Sequence, residues 1–157
     1  MGFNYFNIQP IAGRIGAEIV GIDLSQNLSD DLIAEIRKAL IQYKVIFFRQ
    51  QTLDEKGHIA FARRFGELTK AHPTVPGYLT DYPEIFDLDY RRHHAYTDLW
   101  HTDVTFVERP PLGSILRAVI IPQYGGDTMW ANTVTGYEDL PPHLKALAEH
   151  LWVVHTN

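Results

Sequence analysis

Cysteine is missing from the chain, which excludes a disulfide framework and a thiolate metal site and leaves His, Asp and Glu to hold any metal. Nitrogen and oxygen ligation of that kind suits iron, manganese or zinc. No stretch approaches the apolar length needed to span a bilayer, and the opening Met1-Gly2-Phe3-Asn4-Tyr5-Phe6-Asn7 has neither the basic segment nor the apolar run of a secretory signal. Position six is Phe6, not the Ser or Thr of a myristoylation site. A long basic tract is also missing and the formal charge is −5, which disfavours nucleic acid and anionic membranes as partners. These absences predict a cytoplasmic protein. What is present is 45% hydrophobic content over 157 residues, enough for one domain with a substantial core, together with eight histidines.

Two short strands are expected within residues 5 to 23, one of them Glu18 to Asp23, because β-branched residues alternate with turn-forming glycines there. A helix should follow, with Ser29 as N-cap, Asp30 and Asp31 at the positive end of the dipole, and a buried stripe of Leu32, Ile33, Ile36, Leu40 and Tyr43. Val45-Ile46-Phe47-Phe48 reads as a buried strand, and Thr52 with Glu55 as a capping box opening a second helix that ends at Gly66. Further strands are expected at 84–89, 100–106, 114–121 and 128–133, the last two joined through Gly125-Gly126. Pro141-Pro142 suits a helix start, after which Leu144, Leu147, Ala148 and Leu151 would pack inward and Trp152-Val153-Val154 would return to strand. Strands flanked by helices predict an α+β domain with a sandwich or barrel-like β core.

Within the segment Trp100-His101-Thr102-Asp103-Val104-Thr105-Phe106, an imidazole and a carboxylate stand two residues apart in a β-favouring run. On a strand they would share a face. Such a pair can supply two of the three ligands of the 2-His-1-carboxylate triad, which leaves positions on non-haem Fe(II) open to substrate and oxygen. Alone the triplet is a weak signal, and in isolation a hydrogen-bonded structural pair is the better reading of it.

The surrounding residues supply the context. Ile15-Gly16-Ala17-Glu18-Ile19, Val45-Ile46-Phe47-Phe48-Arg49, Arg64-Phe65-Gly66-Glu67-Leu68, His72-Pro73, the segment 100–106 and Gly125-Gly126-Asp127-Thr128-Met129-Trp130 span essentially the whole chain. Taken together they resemble the taurine dioxygenase family of Fe(II)/2-oxoglutarate-dependent dioxygenases, in the group that includes alkylsulfatases. The resemblance implies a double-stranded β-helix, or jelly roll, with flanking helices. It implies His101 and Asp103 as iron ligands, Thr128 as the residue that hydrogen-bonds a carboxylate of 2-oxoglutarate, and His72 and Val104 as substrate contacts. Taurine-type members carry an aromatic residue where Val75 stands and an amide where Thr97 stands, so the implied substrate is longer or more apolar than taurine.

By the family pattern, the distal histidine ligand and the arginines that clamp 2-oxoglutarate lie beyond position 157, and residues 1–157 correspond to the N-terminal part of a single dioxygenase domain. His143, His150 and His155 do not stand where that histidine should. The implied reaction is hydroxylation of the carbon bearing a sulfonate or sulfate ester in a small anionic organosulfur substrate. It uses O2 and releases sulfite or sulfate and an aldehyde, with succinate and CO2 as coproducts. Family members commonly form homo-oligomers, dimers or tetramers. Two alternatives remain open at this point: the same chemistry on a non-sulfur acid such as an aryloxyalkanoate, and a non-catalytic jelly-roll binding module.

Overall fold

The computed structural model describes residues 2–70, 81–89 and 99–156. In chain order the elements are β1 (Asn7–Pro10), β2 (Ala17–Val20), α1 (Asp30–Tyr43), β3 (Ile46–Phe47), α2 (Glu55–Arg63), α3 (Thr133–Glu138) and α4 (Pro142–Ala148). The chain divides into two compact units, one of Met1–Gly57 with Ala118–Leu151, the other of His58–Arg117 with Trp152–Asn157. Helices combined with a partial sheet make the described residues an α+β arrangement.

The sheet of the first unit has the order β1-β2-β3, antiparallel between β1 and β2 and parallel between β2 and β3. Ile8 lies opposite Ile19, and Ala17 opposite Ile46. Gly16 introduces β2 at φ +84°, a left-handed conformation that a side chain resists, and its amide donates to the Tyr43 carbonyl at 2.9 Å. Ala17 and Ile19, two residues apart on β2, turn one face into the core with Phe6, Leu24, Ile33, Ile36 and Ala39, all buried.

Helix α1 forms where its signals predict. The Ser29 hydroxyl accepts from the Leu32 amide at 3.3 Å, and Asp30 and Asp31 occupy the first turn. Ile33, Ile36 and Ala39 carry the burial, while Leu32, Leu40 and Tyr43 from the expected stripe are half-buried. The helix ends abruptly. Lys44 has φ +68° and ψ −36°, and Val45 N–H donates to the Tyr43 carbonyl at 2.8 Å, which makes a γ-turn of the strained hand. That turn drops the chain directly from α1 into β3.

Elsewhere the expectations need correction. The cap of α2 is Asp54, whose Oδ1 accepts from the Gly57 amide at 2.7 Å; the helix opens at Glu55, two residues later than a Thr52 cap would place it. The strand expected at Glu18 to Asp23 begins at Ala17 and ends at Val20. Among the described residues, 84–89, 100–106, 114–121, 128–133 and 152–154 form no strand. β-propensity expresses itself only against ladder and face partners, and the apolar residues of 114–121 and 152–154 stand in the open: Ile121 is 72% and Trp152 98% exposed. Gly125 and Gly126 do adopt φ +74° and +69°, as a tight reversal requires. Thr133 begins α3 instead of ending a strand, because the Asn132 side chain accepts from the Val134 and Thr135 amides at 3.1 and 3.3 Å. Pro142 opens α4 as predicted, but Leu144, Leu147 and Leu151 are exposed. None of the described helices is long and apolar enough to cross a membrane.

Candidate metal centre

The residues that precede and follow His101 decide how its ring is presented. Its Nδ1 lies 2.8 Å from the Leu99 carbonyl, and a carbonyl only accepts, so Nδ1 carries the hydrogen and donates. In the neutral ring this leaves a lone pair on Nε2. That nitrogen faces Asp103 Oδ1 at 3.1 Å. Two electron-pair donors held face to face call for a positive charge between them or on the ring. A histidine whose second nitrogen is anchored on a backbone carbonyl is the usual arrangement of a metal ligand. Two donors bound at right angles to one ion at about 2.1 Å would stand about 3 Å apart, which matches the observed separation. The other carboxylate oxygen, Oδ2, is 3.5 Å from the Ser114 hydroxyl, at the outer limit of a hydrogen bond.

The pair meets across a turn and not on a strand face. Residues 103–106 form a turn, and Val104 has φ +55°, a conformation rare for a β-branched residue that ends any extended run there. Backbone outliers of this kind cluster at ligand-binding positions. Both side chains are about half exposed, His101 at 51% and Asp103 at 59%. Among the described residues no third His, Asp or Glu completes a metal cluster. The donor set therefore fits two of the three ligands of a hard-to-borderline divalent ion.

The remaining expected positions divide. Thr128 belongs to the first unit, in a segment without regular structure that leads into α3. Val104 is half-buried in the second unit, next to Asp103. His72, Val75 and Thr97 lie outside the described residues. Two contributors escaped the sequence reading: the Leu99 carbonyl, which no side-chain pattern announces, and Ser114, which carries no signal beyond being a hydroxyl in an apolar run. Of the downstream histidines, His150 Nδ1 donates to the Ala146 carbonyl at 2.7 Å and His155 Nδ1 is bonded to the Thr105 hydroxyl at 2.7 Å.

A family model described as "Taurine catabolism dioxygenase TauD, TfdA family" matches residues 7–157. The chain belongs to the TauD/TfdA family. An alpha-ketoglutarate-dependent sulfate ester dioxygenase of Pseudomonas putida is 48% identical over 96% of this chain and 50% of its own length. An alkylsulfatase of Acinetobacter baylyi is 51% identical over 96% of this chain and 47% of its own length. The crystal structure of a taurine dioxygenase from Burkholderia xenovorans superimposes with a TM-score of 0.83 at 41% identity, covering 94% of this chain and 52% of that one. The chain thus spans about half the length of the TauD/TfdA relatives it matches.

Proposed function

We propose that this chain supplies about half of a jelly-roll dioxygenase that uses Fe(II) and 2-oxoglutarate to cleave alkyl sulfate esters oxidatively. The observation that carries the reading is the His101 Nε2 to Asp103 Oδ1 separation of 3.1 Å, with Nδ1 tied to the Leu99 carbonyl. Similarity at 48% and 51% identity to a sulfate ester dioxygenase and an alkylsulfatase supports the sulfate ester over the sulfonate as substrate. The open apolar segments at 114–121 and 152–154 support a larger β framework, since sequences of this type are stable as strands only when paired and covered. The fold in this reading is the double-stranded β-helix, acting as a cytoplasmic homo-oligomer with no nucleic-acid or membrane partner.

His101 and Asp103 would hold the iron, which with 2-oxoglutarate and O2 supplies the oxidising power for hydroxylation of the carbon next to the ester oxygen. The residues do the positioning. The Leu99 carbonyl keeps His101 Nε2 free for the ion, and the Ser114 hydroxyl steadies the second oxygen of Asp103. Thr128 donates its hydroxyl hydrogen to a carboxylate of 2-oxoglutarate. His72 donates to a sulfate oxygen, a charge-assisted bond about twice as strong as a neutral one, and Val75 and Thr97 shape the site for an alkyl chain longer than that of taurine. Val104 and Phe106, both half-buried, offer apolar surface that excludes water from the carbon. Once that carbon bears a hydroxyl group, loss of the hydroxyl proton and cleavage of the bond to the ester oxygen yield the aldehyde, and sulfate leaves with the electron pair.

The test is succinate release by the full-length protein under air, with Fe(II), ascorbate and 2-oxoglutarate, across alkyl sulfates, alkanesulfonates and aryloxyalkanoates. Alkyl sulfates should stimulate succinate most and yield sulfate and aldehyde in equal amounts. Stronger stimulation by an aryloxyalkanoate would replace the substrate class. Silence with every compound from protein that also fails to bind iron would favour a binding module.

A further inference from the structure

We propose that Arg14 and Asn132 are positioning residues that hold the Thr128 segment against the first sheet, and that they act on 2-oxoglutarate affinity through Thr128. The proposal rests on the cosubstrate role of Thr128 given above.

Segment 128–132 has no ladder of its own, so something else must fix it. Two anchors do so from residues more than eighty positions earlier. The Trp130 ring meets the Phe47 ring of β3 edge-on, with centroids 5.5 Å apart and planes at 80°, a favoured aromatic geometry. Two residues on, Asn132 Nδ2 donates to the Arg14 carbonyl at 2.7 Å while its Oδ1 caps α3. Both ends of one amide are therefore used, which fixes its orientation. The Arg14 side chain then closes the loop: Nη1 donates to Asp139, just past α3, and Nη2 lies 3.8 Å from Glu138. The Arg14 hydrogen bond holds the Asp139 carboxyl below its usual range. Arg14 thus grips α3 at both ends, its N-cap Asn132 through the backbone carbonyl and its far end through the guanidinium. Thr128 stands two residues before Trp130, with Met129 alone between it and the anchored stretch.

Placement matters here, because loss of an outer partner that orients a binding group typically costs about 10- to 100-fold in affinity or activity. The experiment compares Arg14→Gln, Asn132→Ala, Arg14→Lys and Thr128→Ala in the full-length, iron-loaded protein. Its readouts are amide hydrogen exchange over 127–132, calorimetric 2-oxoglutarate affinity and the KM and kcat split. Arg14→Gln and Asn132→Ala should speed exchange in that segment and raise the Kd and KM for 2-oxoglutarate on the order of tenfold. Substrate KM, and kcat at saturating 2-oxoglutarate, should hold. Both Arg14 variants keep the backbone carbonyl that Asn132 bonds, so Arg14→Lys, which keeps the charge and loses only the fork, should recover part of the affinity. If Thr128→Ala weakens 2-oxoglutarate binding and the two anchor variants do not, the proposal fails. If Thr128→Ala itself leaves the affinity unchanged, the cosubstrate reading beneath it fails.

Discussion

Replacing Ile36 with alanine removes the best-buried large side chain of α1, at 0% exposure. Three carbons lose their transfer free energy, about 0.8 kcal/mol each, and the void they leave adds a further 1 to 2 kcal/mol at about 24 cal/mol per Å³. The expected loss is therefore about 4 kcal/mol, inside the range of about 2 to 5 kcal/mol for such truncations. Alanine's better helix propensity offsets only a few tenths of a kcal/mol. Ile41, on the same helix and 59% exposed, is the internal control, and Ile41→Ala should cost less than about 0.5 kcal/mol. Urea denaturation followed by far-ultraviolet circular dichroism reads the difference. With a slope of about 2 kcal/mol/M, the midpoint should fall by about 2 M for Ile36→Ala and barely move for Ile41→Ala. Equal shifts for the two variants would refute the claim that α1 is held by the Ile33, Ile36 and Ala39 face.

Three further perturbations follow from local geometry. Lys44→Gly should be about 1 kcal/mol more stable than Lys44→Ala in the same urea assay, since both lose the bond from the Lys44 ammonium to the Ile41 carbonyl and glycine alone adopts φ +68° without a side-chain clash; equal stability of the two would mean that the γ-turn carries no strain. Asp54→Ala should cost about 1 kcal/mol and Thr52→Ala much less, which reverses the ranking a Thr52 cap would give. The Arg14 to Asp139 pair predicts a pH effect. Because Arg14 depresses the folded pKa of Asp139, its contribution is fully present above the ordinary aspartate value of about 3.9 and is lost as pH falls through the lower folded value. The stability gap between the parent protein and Arg14→Gln should therefore be constant from neutral pH down to about 5 and close below about 4; a gap that persists in acid would contradict the pairing.

What could be read from the residues depended on whether the signal was local. Ser29, Asp30, Asp31 and the apolar spacing after them announce α1 within a dozen positions, and Pro141-Pro142 announces α4. Segments 100–106, 114–121 and 128–133 carry strand composition without a strand, because pairing is a property of partners and not of the segment itself. Helix α3 was missed although Asn132 is among the preferred N-cap residues, since the β-branched Thr133, Val134 and Thr135 behind it weigh toward strand. At the site, His101 and Asp103 were legible as a pair. Their meeting across a turn, the left-handed Val104 and the anchoring Leu99 carbonyl belong to backbone geometry, which side-chain identity does not encode.

Calorimetric titration of the full-length protein with Mn(II), as a stand-in for iron, tests most directly whether His101 and Asp103 are metal ligands. The parent protein should bind one ion, His101→Ala and Asp103→Ala should each abolish binding, and circular dichroism should show both variants folded. Undiminished Mn(II) affinity in either folded variant would contradict the account and return the pair to a structural hydrogen bond.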